Sequence, residues 1–317
     1  MNATDDARAR QARPRTRFTV LLPVLRGPEM LPFAIRSVLA QSFADFELCV
    51  ICDGAPPETA QMAEDFAASD PRVRVFAFPK GLRHGEAHRA AVLAGAQSDF
   101  VAHIGDDDLW LHDHLKTLSG LLAKADFVSV PGFWIEPDGL LRIGNFGDLT
   151  QIVYRLRLLQ RKWNFFGPTE AAYRLDAYRR LPDGWSPGRK DVWSDLNMWR
   201  KFLADPSVRA CSGQEISTLK FPTPYWQHLL PADRAKANAA AWQRVQDHSV
   251  LAELRVQARW LLAQSITWRG LAALLVTNPA RYGPLLRLKL SPRPGDDLRL
   301  CKESDPQLDV AGQKDRA

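Results

Sequence analysis

The chain has 317 residues, 46% of them hydrophobic and 25% charged, enough apolar material for a sizeable core, which excludes both global disorder and a small single-module binding domain. Its 42 Lys and Arg against 36 Asp and Glu leave a formal charge of +6, which suits anionic partners such as nucleotides, phospholipid headgroups or nucleic acid without choosing among them. Only four cysteines occur, too few for a disulfide framework in a chain this long, so a reducing cytoplasm is the natural setting.

Residues 1–17 carry five arginines and no apolar stretch of signal-peptide length, and read as a mobile basic tail. From Phe18 onward, short β-rich runs at 18–22, 46–51, 73–78 and 100–104 alternate with helix-like segments around 29–40, 57–68 and 86–97. Each of these segments is long enough for a right-handed crossover between parallel strands, so the pattern spells βαβαβαβ. Cys49 and Cys52 form a C-x-x-C inside the second run, where positions three apart face opposite sides of a strand. They read as small buried hydrophobes rather than a redox or zinc pair.

In open parallel sheets, ligands bind beyond the carboxyl ends of the strands. Those ends read Pro23-Val24-Leu25-Arg26, Asp53-Gly54, Pro79-Lys80-Gly81 and Gly105-Asp106-Asp107-Asp108. After Ala125 the alternation loosens into 127–130, a Gly- and Pro-punctuated stretch to Asp148, and a segment rich in Trp, Arg and Phe up to Phe221. Mixed strands and loops forming the second half of a cleft are expected there. Residues 231 to about 290 read as helical and basic, and 291 onward as a loose tail. The apolar stretch 258–276 is broken by Arg259 and Arg269 and is too short to cross a bilayer. With Arg269, Arg281, Arg287 and Lys289 set among leucines, 270–290 forms either a basic amphipathic surface for anionic lipid or a helical buttress.

Three adjacent aspartates at a strand end raise one another's pKa unless a cation compensates. Hard oxygen ligands select Mg²⁺ or Mn²⁺, which keep waters while bridging a carboxylate to substrate phosphates. The competing reading is a solvated acidic turn, with Asp108 capping a helix over 109–124.

The runs Phe18-Thr19-Val20-Leu21-Leu22-Pro23, Ala34-Ile35-Arg36-Ser37-Val38-Leu39-Ala40-Gln41-Ser42-Phe43 and Asp53-Gly54 resemble the opening of glycosyltransferase family 2. Val101-Ala102-His103-Ile104-Gly105-Asp106-Asp107-Asp108-Leu109-Trp110 is similar to that family's D-x-D region, and Ser194-Asp195-Leu196-Asn197-Met198-Trp199 to its E-D-x-D-L-W stretch. The likeness covers roughly 18–203. It implies a GT-A fold, an α/β, Rossmann-like, mostly parallel sheet flanked by helices. It also implies transfer of a sugar from a nucleotide diphosphate donor, usually with inversion, in the synthesis of cell-surface or lipid-linked glycan.

By the same resemblance Pro23 and Leu25 line the base pocket, Asp53 accepts a hydrogen bond from uracil or thymine, and Arg89 lies near the nucleotide. Asp106 sits near the ribose or metal, Asp107 binds Mg²⁺ or Mn²⁺, and Asp195 is the general base. Asp191, four residues earlier, competes for that last role. Gly105 stands where many members have the first D-x-D aspartate, so one contact comes from Asp106 or is absent; Ser194 replaces the usual glutamate.

Asp108 and one or two of Trp163, Trp185, Trp193 and Trp199, with Trp193 first, are the acceptor candidates, core packing accounting for the rest. His228 is a possible third ligand or an ordinary surface histidine, while His112 and His114 are too badly spaced on a helix for joint ligation. The expected organisation is a tail at 1–17, a GT-A domain at 18–225, a helical basic extension at 226–290 and a tail at 291–317. The partners expected are a nucleotide-sugar, a glycan or lipid-linked acceptor and, through the basic extension, the inner membrane face, with no specific nucleic acid. Two rival readings are a nucleotidyltransferase of similar fold, which would normally show a Gly-rich loop after strand one, and a non-catalytic basic protein on membrane or nucleic acid.

Overall fold

A computed structural model describes residues 15–295 together with Leu300 and Cys301. Most of the two expected tails, 1–14, 296–299 and 302–317, lies outside the described residues. Strands β1 (Thr16–Val24), β2 (Phe46–Asp53), β3 (Val73–Phe78) and β4 (Ser98–His103) alternate with helices α1 (Leu31–Leu39), α2 (Pro57–Ser69) and α3 (Glu86–Ala94). β1 and β2 are buried along nearly their whole length, as parallel strands covered on both faces must be. Period-two geometry divides their side chains: Leu22, Leu48, Val50 and Cys52 pack in one core, Leu21, Cys49 and Ile51 in the other. The two cysteines therefore occupy opposite faces. α1 buries Leu31, Ala34, Ile35 and Val38, the i, i+3, i+4, i+7 stripe of a one-faced helix.

Beyond β4 come β5 (Leu109–Trp110), α4 (His114–Leu122), β6 (Phe127–Ser129), β7 (Phe133–Ile135), β8 (Leu141–Ile143), α5 (Ile152–Gln160), a 3-10 turn at Pro168–Glu170, β9 (Ala171–Arg174), α6 (Leu175–Arg180) and α7 (Ser194–Ala204). They are followed by β10 (Ala210–Ser212), β11 (Thr218–Lys220), α8 (Thr223–Trp226), α9 (Pro231–Arg244), α10 (His248–Ser265), α11 (Trp268–Thr277) and α12 (Pro279–Leu290). The main sheet runs β10-β6-β9-β4-β1-β2-β3, mostly parallel, with β9 antiparallel to both β4 and β6. A smaller sheet runs β5-β11-β7-β8.

One expected helix begins later than its sequence suggests. Leu109 and Trp110 pair with β11 instead of opening a helix over 109–124, and the Trp110 amide is taken by Ser37 Oγ at 3.1 Å. α4 starts at His114 with Asp113 in the cap position, so Asp108 caps no helix. Pairing with Thr218 and Leu219, far along the chain, has overridden local helix propensity here, because it buries Leu109 and Trp110 completely. The C-terminal helices share a core with the smaller sheet: Leu109, Phe133, Ile135 and Leu219 pack with Trp226, Ala241 and Leu254. Trp226 Nε1 also donates to Ile135 O at 2.7 Å.

Candidate functional site

Asp53 closes β2, and Gly54, at φ 67°, turns the chain where a Cβ would strike the Lys80 backbone. Its carboxylate receives Lys80 Nζ at 2.8 Å and the Gly81 amide at 2.6 Å, with His88 Nε2 3.3 Å away. Gly85, also left-handed, lets the loop approach; a Cβ there would lie 2.6 Å from Asp53 Oδ2. Burial works against the Asp53 charge, but the bonds from Lys80 and Gly81 overcome it and hold the carboxyl below its ordinary pKa. An ionised carboxylate is acceptor-only, with room for further donors on its remaining lone pairs.

The next loop is fastened across the cleft. Arg83, at φ 54°, donates to the carbonyls of Gly188 at 2.6 Å, Val192 at 2.9 Å and Arg189, tying the β3–α3 loop to the segment before α7. Arg89 donates to His84 O at 2.6 Å and lies over the Trp185 ring at 5.1 Å. Burial lowers its pKa, opposed by Glu86, Tyr173, Asp53 and Asp195. Arg89 is thus within the electrostatic reach of both Asp53 and Asp195. Pro23 pairs opposite Ile51, Val24 opposite Cys52 ends the paired part of β1, and Leu25 is exposed just beyond it.

The three aspartates after β4 divide their partners. Arg26, two residues past β1, puts Nε 3.2 Å from Asp106 Oδ2 and Nη1 2.8 Å from Asp107 Oδ2. Arg234 of α9 reaches the same Asp107 oxygen at 2.6 Å. Asp108 points elsewhere, accepting from Thr169 Oγ1 at 2.5 Å and the Phe221 amide at 3.2 Å. Burial and then the Asp107 charge push the Asp106 carboxyl up to about 7, despite Arg26. Burial and Asp107 likewise push Asp108 up to about 6, against Lys220, Thr169 and the Phe221 amide.

Asp195 lies in the first turn of α7. Its Oδ2 accepts from Asn164 Nδ2 at 2.9 Å and its Oδ1 from the Leu196 amide at 2.7 Å. Burial raises its pKa above the ordinary value, opposed by the Leu196 amide, Lys220 and Asn164. Lys220, on β11, is 3.2 Å from Glu170 Oε2 and within the electrostatic reach of Asp108 and Asp195. Burial disfavours the Lys220 charge, yet Glu170 and Asp108 hold its pKa well above normal. One buried ammonium therefore links the acidic strand end to the α7 carboxylate.

Asp191 is turned to solvent and paired with Arg189 at 3.0 Å. Trp193, in the cap position of α7, is 47% exposed beneath Lys162, while Trp185 and Trp199 are buried in the core. His114 is buried against Ser217 and Trp110, His112 is exposed, and so is His228 in the turn before α9. Sequence reasoning missed Asn164, Thr169, Glu170, Lys220 and Arg234. Only Arg26 carried a local signal, its place at a strand end.

The profile of a family described as Glycosyl transferase family 2 matches residues 19–181, just over half of the chain. The succinoglycan biosynthesis protein ExoW of Rhizobium meliloti is 35% identical over 112 residues, 35% of this chain and 35% of that protein. The GalNAc(5)-diNAcBac-PP-undecaprenol beta-1,3-glucosyltransferase of Campylobacter jejuni is 26% identical over 102 residues, 32% of this chain and 33% of that one. The chain thus matches about a third of the length of these curated relatives. Among solved structures, S. aureus TarS 1-349 in complex with UDP-GlcNAc aligns with a TM-score of 0.50 at 13% identity, over 86% of this chain and 88% of that chain, a likeness of fold.

Proposed function

The chain belongs to glycosyltransferase family 2, and from that premise we propose that it transfers a sugar, with inversion, from a UDP- or dTDP-sugar to a hydroxyl of a glycan or lipid-linked acceptor. The observation that supports this most is the charged cluster in which Lys220, paired with Glu170 at 3.2 Å, feels both Asp108 of the strand-end run and Asp195 of α7. An inverting transfer needs a carboxylate to take the acceptor proton on one side of the sugar and positive charge on the departing diphosphate on the other. Asp195 has the raised basicity for the first task. For the second, Asp107 and Asp106 are the hard-oxygen residues that would hold Mg²⁺ or Mn²⁺, which when bound neutralises charge on the diphosphate.

The donor chemistry suits such an ion: Asp106 and Asp107 are adjacent hard-oxygen carboxylates, and burial, ahead of the Asp107 charge, pushes the Asp106 carboxyl up to about 7. Among the described residues no three carboxylate, imidazole or thiol groups converge as a ready-made cage. Two carboxylates completed by phosphate oxygens and water are what Mg²⁺ commonly accepts. A screen of nucleotide sugars for thermal stabilisation and Mn²⁺-dependent hydrolysis should single out a uridine or thymidine donor. Absence of transfer from every donor, across a broad acceptor set, would overturn the reading in favour of a non-catalytic protein.

Asp53 reads the base in this proposal. If its carboxylate accepts the imide N–H of uracil or thymine, Asp53→Ala should weaken UDP binding by on the order of 1–3 kcal/mol. Calorimetry showing unchanged affinity, or a parental preference for purine nucleotides, would count against it.

The acceptor side is proposed to lie at the inner face of a membrane. Among the described residues no helix is long and apolar enough to cross a bilayer. Residues 254–295, however, contain seven Arg and Lys and no Asp or Glu. Trp268 is 56% exposed and Val276 86% exposed, with Ala272 between them on one face of α11, and Lys289 sits over the Trp268 ring at 5.0 Å. An apolar face rimmed by cations matches an anionic lipid surface. The protein should sediment with phosphatidylglycerol vesicles and not with phosphatidylcholine vesicles, and Val276→Asp should release it. Equal binding to both vesicle types, or none, would remove the membrane from the proposal.

A further inference from the structure

Arg234 joins the C-terminal helices to the acidic run by an ion pair. Arg234, in the first turn of α9, has a side chain only 11% exposed, and its Nη2 lies 2.6 Å from Asp107 Oδ2. Its Nε is buried without a partner. The desolvation of this guanidinium is therefore balanced at Asp107, where Arg26 Nη1 also sits at 2.8 Å. Two guanidinium groups thus share one carboxylate oxygen, the oxygen of the residue proposed to hold a divalent cation.

A divalent ion cannot simply be added to that arrangement. It would stand within a few ångströms of two arginine charges in a partly buried site, where repulsion between like charges is strong. Either a guanidinium leaves Asp107, or new negative charge arrives with the ion. A nucleoside diphosphate supplies that charge, and its oxygens suit an arginine fork as well as a carboxylate does. Of the two arginines, Arg234 belongs to a helix outside the main sheet, whereas Arg26 lies two residues past β1 with its carbonyl held by Thr59 Oγ1 at 3.0 Å.

Resting on the donor reading above, we infer that Arg234 is a donor-responsive latch. Without donor it neutralises Asp107 and holds α9 over the acidic run. When a divalent ion and a nucleoside diphosphate bind together, its guanidinium passes from Asp107 to the diphosphate, so that the C-terminal helices respond to the donor site. No bond is made or broken; one ion pair is exchanged for another.

This predicts opposite effects from one substitution. Arg234→Ala removes a competitor for Asp107 and a partner for the diphosphate. It should bind Mn²⁺ alone roughly fivefold or more tighter than the parent, yet bind UDP in the presence of Mn²⁺ roughly tenfold weaker. Free Mn²⁺ can be counted by electron paramagnetic resonance and UDP binding by calorimetry, neither of which needs turnover. Arg234→Lys, which keeps the charge, should restore most of both values.

If both affinities fall in Arg234→Ala, Arg234 merely orients Asp107 and the latch is overturned; it is overturned equally if neither changes. Hydrogen exchange on the parent needs no variant: amides of 231–244 should change protection when UDP and Mn²⁺ are added together, and unchanged exchange there also overturns the latch. A parent that binds no nucleoside diphosphate at all would overturn the transferase reading itself, whereas normal parental binding with an indifferent Arg234→Ala would overturn only the latch.

Discussion

Asp195→Asn should lower kcat by roughly 10²–10⁴-fold while leaving UDP affinity near the parental value, because a general base acts on the acceptor hydroxyl in the transition state and does little to hold the donor. The amide keeps the shape of the carboxyl, but its one oxygen can accept from only one of Asn164 Nδ2 and the Leu196 amide, which lie 2.9 and 2.7 Å from the carboxylate oxygens, and its NH2 then faces the other donor. A melting curve on the variant separates loss of folding from loss of rate. Asp191→Asn serves as the control: Asp191 is exposed and paired with Arg189, so its removal should cost little. Initial rates and calorimetry on the two variants decide the matter. Parental kcat in Asp195→Asn, with loss in Asp191→Asn, would reassign the base.

The same residue carries a pH signature. A base must be deprotonated to act, and burial raises the folded pKa of Asp195, so kcat should fall on acidification at a pH above the ordinary aspartate range. Asn164→Ala removes a donor that favours the charged form and should move this acidic limb to higher pH. A limb that stays in place, or moves down, would detach it from Asp195.

Asp107→Ala should abolish Mg²⁺- or Mn²⁺-dependent turnover. It removes the best-placed hard ligand beside the proposed diphosphate position. It also leaves Arg26 and Arg234 facing each other without their shared carboxylate, at a stability cost on the order of 2 kcal/mol, less than for a fully buried pair because Arg26 is partly exposed. A melting curve separates the two consequences, and Asp107→Asn, which keeps the volume, should lose metal dependence as well. Full activity of either variant, or undiminished parental activity in chelator, would sink the metal assignment.

Much of the cleft was legible because its signals are local. Asp106, Asp107 and Asp108 are consecutive, Asp53 follows a run of strand formers, and Arg26 stands at a strand end. The roles within the triplet were not legible. Asp106 and Asp107 face two arginines while Asp108 turns to Thr169 and Phe221, a division set by β5 pairing with β11 rather than by helix capping. Likewise Asp191 and Asp195 lie four positions apart in one polar stretch, and only burial separates an exposed ion pair from a desolvated carboxylate.

By itself the sequence determined the alternating parallel sheet, the opposite facing of Cys49 and Cys52, and the clustering of acid at one strand end. Those features depend on periodicities of 2 and 3.6 and on neighbouring residues, which a linear chain displays directly. The tertiary structure alone decided that Lys220 pairs with Glu170 within the electrostatic reach of Asp108 and Asp195, that Asn164 holds Asp195, and that Arg234 crosses from α9 to Asp107. Charge pairing and desolvation act over a few ångströms of space, and Arg234 and Asp107 are 127 residues apart along the chain, so nothing local to either marks the other as its partner.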